Sequence, residues 1–385
     1  MKAKQIGSLL AAASMLMAAA TGCAAGAKVE KVIKIGGIGP TTGSAAVYGE
    51  AVKNAAEMAV EEINAAGGIA GMQIEFKFQD DENDPEKSVN AYNTLKDWGM
   101  NLLMGTVTSN PCVAVADKTK SDNLFQLTPS GSSAECVKND NAFRVCFSDP
   151  NQGVEAAKYI ASNNLATKVA VIYDNSDPYS TGIYESFKAE AATQNLNIVE
   201  AQAFNQDNKT DFSVQIQKAK DAGADMIFLP IYYAEASQIL KQTSSVAGFT
   251  PKFFGCDGMD GILSLDNFDA KLAEGLMFMT PFDATSDDET IKNFVTNFES
   301  RYGSTPNQFA ADAYDAIYII KEACEKAGVT DGMSNSDLCD GLKKAMTELS
   351  FNGTTGKNVV WTAEGEPNKA PNVLMIKDGV YAPAV

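Results

Sequence analysis

From residue 32 to residue 255 the chain alternates short β-branched runs with amphipathic helical stretches, and this rhythm constrains its fold more than any other feature. Strands are expected at 32–38, 73–79, 102–105 and 124–127, with helices at 48–66, 85–98 and 111–121 between and after them. A second series begins near Asp149, with helices at 152–163, 181–194, 212–222 and 234–246 and strands at 169–173, 198–203, 226–229 and 252–255. Repeated strand–helix–strand order builds parallel sheets covered by helices on both faces. The fold class is therefore α/β, with two doubly wound parallel-sheet lobes. Near Pro281 the rhythm breaks into three helices, 288–302, 308–327 and 336–348, before hairpin-like strands at 359–362, 372–377 and 380–381. Helices without strands between them cannot found a third sheet, so the chain is expected to return to the first lobe.

Ahead of this body lies MKAKQIGSLLAAASMLMAAATGCAAG. Lys2 and Lys4 precede an uncharged, mostly apolar stretch at 6–20, and small residues then lead into Cys23. That order describes an export signal over 1–22, too short for a comfortable membrane span. A Cys directly after small residues resembles a bacterial lipobox, although Ala20 stands where Leu is usual. Cys23 is thus expected to carry lipid, with 23–30 as a linker; the alternative is an ordinary cleaved signal and an incidental Cys. The protein is expected outside the cytoplasm, lipid-anchored to the outer face of the cytoplasmic membrane.

About 360 residues remain after such a signal, enough for two domains. A net charge of −18 opposes nucleic-acid binding, which needs clustered Lys and Arg. The chain contains no His, which removes Ser-His-Asp and Cys-His catalysis and His-ligated zinc. Beyond Cys23 there are Cys112, Cys136, Cys146, Cys256, Cys324 and Cys339, none in a C-x-x-C pair. Disulfides are permitted outside the membrane, but spacing does not choose among the pairings. Cys324 and Cys339, on successive helices, are one candidate pair; buried free thiols are the alternative for all six. No metal and no cofactor is expected.

Five segments are candidates for chemistry. GGIGPTTG at 36–43 follows a strand and approaches a dinucleotide fingerprint, but its third glycine falls one residue late and Pro40 interrupts the turn. A Gly-rich loop at a strand's carboxyl end is the better reading. DDENDP at 80–85 has Pro85 where a calcium loop needs Gly, and Asp84 as helix cap before Pro85 explains it better. GTVTSNP at 105–111 runs from a strand into a helix N-terminus, where free backbone N–H groups favour an anion. There Ser109 either adds a hydroxyl to that site or, like Asn110, merely caps the helix. TPSGSS at 128–133 offers Ser130 and Ser132 in a loop that lets a ligand approach the backbone. FFGCDG at 253–258 places Asp257 at a strand end of the second lobe, as an ammonium partner or as a turn residue. Anion sites on one lobe facing a carboxylate on the other suit a zwitterion.

These segments, with IKIGGIGPTTGSAAVYGEAVKNAAEMAVEEINAAGGIAG and IYDNSDPYSTG, resemble the branched-chain amino acid binding proteins of ABC transporters. The resemblance runs from about Val32 to Tyr381 and implies the type I periplasmic-binding-protein fold, two lobes joined by a three-strand hinge. It implies crossings near Ser148, Pro281 and Asn352, giving a first lobe of 31–148 and 282–351 and a second of 149–281 and 352–385. It implies that Ser109 and Ser132 hold the ligand's α-carboxylate. The α-ammonium falls to Ser132, the carbonyl of Ser130, and Asp257, where relatives often carry the longer Glu. Tyr48, Tyr179, Tyr232 and Phe309 are implied to line the cleft, core packing being the alternative for each.

Together these readings describe a monomeric solute-binding lipoprotein and not an enzyme. It captures a free amino acid, branched-chain or similarly aliphatic, between two lobes and delivers it to the permease subunits of an ABC importer. A ligand-sensing role, or a related small amide or carboxylic acid as ligand, is the alternative on the same fold. An exported hydrolase would need an unusual Ser-Lys or paired-carboxylate arrangement.

Overall fold

The computed structural model describes residues 31–384. The expected export signal and Cys23 lie outside the described residues. In the first series β1 (Val32–Gly39), α1 (Ala46–Ala65), β2 (Gln73–Asp80), α2 (Pro85–Trp98), β3 (Leu102–Gly105), α3 (Ser109–Ser121), β4 (Gln126–Thr128) and β5 (Ala142–Arg144) follow one another. Their strands form a wholly parallel sheet in the order β2-β1-β3-β4-β5. Local chemistry sets the boundaries. The Asp84 carboxylate accepts from the Glu86 and Lys87 amides, Pro85 opens α2, and Gly99 ends it in the left-handed region.

The second series comprises α4 (Asp149–Ser162), β6 (Val169–Asp174), α5 (Pro178–Thr193), β7 (Ile198–Phe204), α6 (Ser213–Asp221), β8 (Met226–Leu229), α7 (Tyr233–Ser244), β9 (Lys252–Gly255) and β10 (Met277–Thr280). After it come α8 (Glu289–Tyr302), α9 (Gln308–Ala327), α10 (Asn335–Thr347), β11 (Asn372–Lys377) and β12 (Val380–Pro383). The second sheet runs β12-β11-β10-β9-β8-β6-β7, parallel except for β11 and β12, which close it as an antiparallel pair. The three late helices pack against the first series: α9 lies along α1, α10 on α9, and α8 touches α1. Their apolar faces, with Ile317, Ile320 and Leu342, join Met58 and Ile63 of α1 in one continuous core.

Four local expectations differ. Helix α3 starts at Ser109, two residues before Pro111, because a proline is tolerated anywhere in a first turn whose N–H groups have no intrahelical partner. Strands β5 and β10 and the 3-10 turn Ala134–Val137 have no counterpart in the sequence reading. The stretch 359–362 forms only isolated bridges, Phe351 with Val359 and Trp361 with Pro367. Residues 352–369, expected with the second lobe, bond instead to the first: Trp361 Nε1 donates to the Arg144 carbonyl and Lys369 pairs with Asp312 of α9. The chain joins the second sheet only at Asn372. In the 36–43 loop, a Cβ on Gly37 would stand 2.4 Å from the Phe78 ring, so that glycine serves close packing. Cys324 and Cys339 are buried free thiols.

Candidate functional site

Ligands of open α/β sheets lie beyond the carboxyl ends of the strands. Here the residues after β1, β3 and β4 of one sheet meet those after β6, β8 and β9 of the other around a narrow cavity of about 10 Å³. Its wall contains Tyr48, Ser109, Ser130, Ser132, Tyr179, Tyr232, Asp257 and Phe309, so all eight residues singled out in the sequence reach one space.

The first-lobe wall is a woven pair of loops. Ser109 opens α3, yet its Oγ caps nothing in its own helix; it accepts from the Ser132 amide at 3.2 Å and the Ser133 amide at 3.1 Å. The two serine hydroxyls stand 3.5 Å apart. Ser130 donates to the Val107 carbonyl at 2.7 Å, and Thr128 donates to the Thr106 carbonyl at 2.6 Å. These bonds hold two hydroxyls beside the N-terminus of a 13-residue helix, a preformed seat for a carboxylate.

A residue that sequence reasoning missed supports this seat from behind. Arg144, completely buried on β5, donates to the Gly131 carbonyl at 3.1 Å and the Ser133 carbonyl at 2.9 Å, and pairs with Glu366 at 3.0 Å. A single Arg in a short, unpatterned strand gives no sign of this. Asp149, at the start of α4, was also missed. It is buried with no hydrogen-bond partner on either carboxylate oxygen. Burial raises it well above the usual carboxylate range, and the nearby Ser132 hydroxyl works against that.

On the second lobe Asp257 is buried in the turn after β9. Tyr179 donates to its Oδ1 at 2.7 Å, and its amide donates to Gln152 Oε1 at 3.0 Å. Burial pushes this carboxyl up to about 7, although bonds from Tyr179 and Gln152 favour the ion. A cation beside it would remove that penalty. The aromatic wall is continuous: Tyr179 stacks on Tyr232 with centroids 4.8 Å apart, Tyr232 meets Tyr48 edge-on at 5.6 Å, and Tyr48 lies 4.1 Å from Phe309. Such pairs contribute about 0.5–1.5 kcal/mol each beyond their buried area.

The lobes touch directly across the cavity rim. Tyr48 donates to the Gly258 carbonyl at 2.6 Å and accepts from the Tyr233 amide at 3.3 Å. Gln308, at the start of α9, donates through Nε2 to the Asp257 carbonyl at 3.0 Å, and its amide donates to Asp260 Oδ2 at 2.7 Å. This is a closed arrangement. Ser109→Ala removes the acceptor of two loop amides. Affinity for a carboxylate seated beside α3 should fall by about 1–3 kcal/mol, and the unliganded melting temperature should fall too. Calorimetric titration beside thermal melting reads both, and a variant with unaltered affinity would make Ser109 a purely structural residue.

Among the described residues no helix is long and apolar enough to cross a membrane, and no cluster of three or more acidic, Cys or His side chains has metal-site geometry. Comparison with known proteins agrees with this architecture. The chain is 32% identical over 320 residues, 83% of its length and 85% of the other's, to a Leu/Ile/Val-binding protein homolog of Brucella melitensis. It is 30% identical to a leucine-, isoleucine-, valine-, threonine- and alanine-binding protein of Pseudomonas aeruginosa, covering 78% of this chain and 79% of that one. Among solved structures it is similar to the branched-chain amino acid transporter substrate binding protein of Streptococcus pneumoniae in complex with isoleucine. That match has a TM-score of 0.82 and 28% identity, covering 91% of this chain and 98% of that one. The periplasmic binding protein model matches residues 32–380, nearly the whole described body, and the chain is a member of that family.

Proposed function

We propose that the protein captures a free aliphatic amino acid, with leucine, isoleucine and valine foremost, outside the cytoplasm and delivers it to the permease of an ABC importer. The observation that carries this reading is the pairing of opposite chemistries across one small cavity. Ser109, Ser132 and the α3 N-terminus stand on one lobe, and the buried Asp257 carboxylate stands on the other. An α-amino acid satisfies both ends at once, its carboxylate on the seat of serines and its ammonium between Ser132, the Ser130 carbonyl and Asp257. The side chain then faces Tyr48, Tyr232 and Phe309. The Leu/Ile/Val specificity carried in the relatives' names supports the choice among side chains.

The mechanism is hinge closure. A ligand held first by the serine loops draws Asp257 and Tyr232 over itself, and its differential contacts favour the closed state that the permease recognises. The protein acts as a monomer, tethered through lipid on Cys23, a tether that mass analysis of the N-terminal peptide detects or refutes. Binding is tested by thermal shift over the standard amino acids, on protein refolded to strip carried-over ligand. Leucine, isoleucine or valine should raise the melting temperature most. A screen in which no amino acid moves it, while amides or amine-free carboxylic acids do, overturns the reading.

A further inference from the structure

The carboxylate seat joins two separate segments, the first turn of α3 and the loop that ends in the 3-10 turn at Ala134–Val137. Each carries a cysteine just behind the ligand-facing residues. Cys112 lies in the first turn of α3, and Cys136 follows Ser133 by three positions; both are buried free thiols. The Cys136 Sγ lies 3.7 Å from the Ser109 carbonyl, on the same helical turn that bears Cys112. The Cys112 Sγ accepts from Gln126 Nε2 at 3.4 Å and would be 3.0 Å from a Cβ on Gly131, which places it against the ligand loop. A hydrogen bond from Cys136 holds Cys112 below the ordinary thiol range against the effect of burial. Burial instead raises Cys146 and Cys256, and lifts Cys324 to about 12 and Cys339 to about 11.

We propose that Cys112 and Cys136 form a disulfide in the exported protein, stapling the N-terminus of α3 to the second ligand loop. The bond forms during folding, while the segments are still open to reagents. The Cys112 thiolate attacks a disulfide oxidant of the extracytoplasmic space, releasing one thiol, and the Cys136 sulfur then displaces the second. Each cysteine gives up its thiol hydrogen, and the two electrons and two protons leave with the oxidant, now two thiols. The staple fixes Ser109 against Ser132 before any ligand arrives, so less ordering remains to be done on binding. This inference rests on location outside the cytoplasm and not on which solute is bound, so either can fail without the other.

The test is a peptide map. The reduced, denatured full chain is refolded in mixed reduced and oxidised glutathione, alkylated in denaturant without reductant, and cleaved with trypsin. Peptides 97–118 and 121–138 are expected as one crosslinked species lacking two hydrogens, with Cys146, Cys256, Cys324 and Cys339 each alkylated. Single alkylation of both Cys112 and Cys136, or a crosslink from either to another cysteine, overturns the proposal. Cys136→Ser should melt several degrees below oxidised wild type and match wild type refolded in excess reduced thiol. Equal melting of oxidised wild type and variant would also count against the staple. Should the variant fail to fold, the wild-type map decides.

Discussion

Asp257→Asn is expected to weaken amino-acid binding at least about tenfold while leaving the fold intact. The substitution keeps shape and removes only charge. A desolvated ammonium that loses its countercharge forfeits about 2–5 kcal/mol. The loss should appear mainly as faster release if, as proposed, Asp257 belongs to the lobe that closes over a ligand already seated on Ser109 and Ser132. In the unliganded protein the same change should be neutral or mildly stabilising. Burial raises the Asp257 carboxyl from 3.8 to about 7, so ionising it in the empty closed cavity is unfavourable, and that penalty builds up as pH rises through this interval and is constant above it. An uncharged amide removes it. Stopped-flow release rates and titration calorimetry for leucine in both proteins measure the effect. Identical affinities across all amino acids would reduce Asp257 to a turn residue and reopen the ligand class.

The second large effect is expected at Arg144, which lies outside the cavity wall. Arg144→Met leaves the buried Gly131 carbonyl without a donor, at about 1–3 kcal/mol, and takes one of two donors from the Ser133 carbonyl, which keeps the Cys136 amide at 2.9 Å. Urea denaturation should show a loss of several kcal/mol, and leucine affinity should drop as the loop holding Ser132 loosens. Glu366→Gln is the contrasting case. Its carboxylate is one-third exposed, so solvent screens the pair and the loss should be far smaller. If Arg144→Met melts like wild type, the loop is held by the Ser109 and Thr128 bonds alone.

Four of the cavity residues, Ser109, Ser130, Ser132 and Asp257, were legible in the sequence for a simple reason. They come shortly after the end of a strand, and strand ends are marked by an abrupt change from β-branched residues to Gly, Ser and Asp. Once the strands lie parallel in two sheets, their carboxyl edges must carry those residues to one side. Only the family resemblance pointed to Tyr48, Tyr179, Tyr232 and Phe309. Arg144, Gln152 and Gln308 were not legible, because a polar residue bonded to distant backbone looks like any surface residue. Three-residue β5 is too short for a period. The stretch 352–369 has no regular structure, and its lobe is decided by long-range bonds such as that from Trp361 to Arg144. Ser109 shows the limit from the other side: the sequence left it as either cap or ligand residue, and only the geometry shows its oxygen turned away from its own helix.

The bonds from Gln308 to the Asp257 carbonyl and the Asp260 carboxylate join the lobes through a residue outside the cavity wall. They act as a common factor in every affinity the protein displays. Weakening them would lower the fraction of molecules able to shut, and each ligand's apparent dissociation constant would rise by the same ratio. The order of preference among amino acids, set inside the cavity, would not change. Sensitivity and selectivity are thus carried by different residues, and a lineage meeting scarcer or richer nutrient could retune the first through the rim while keeping the second.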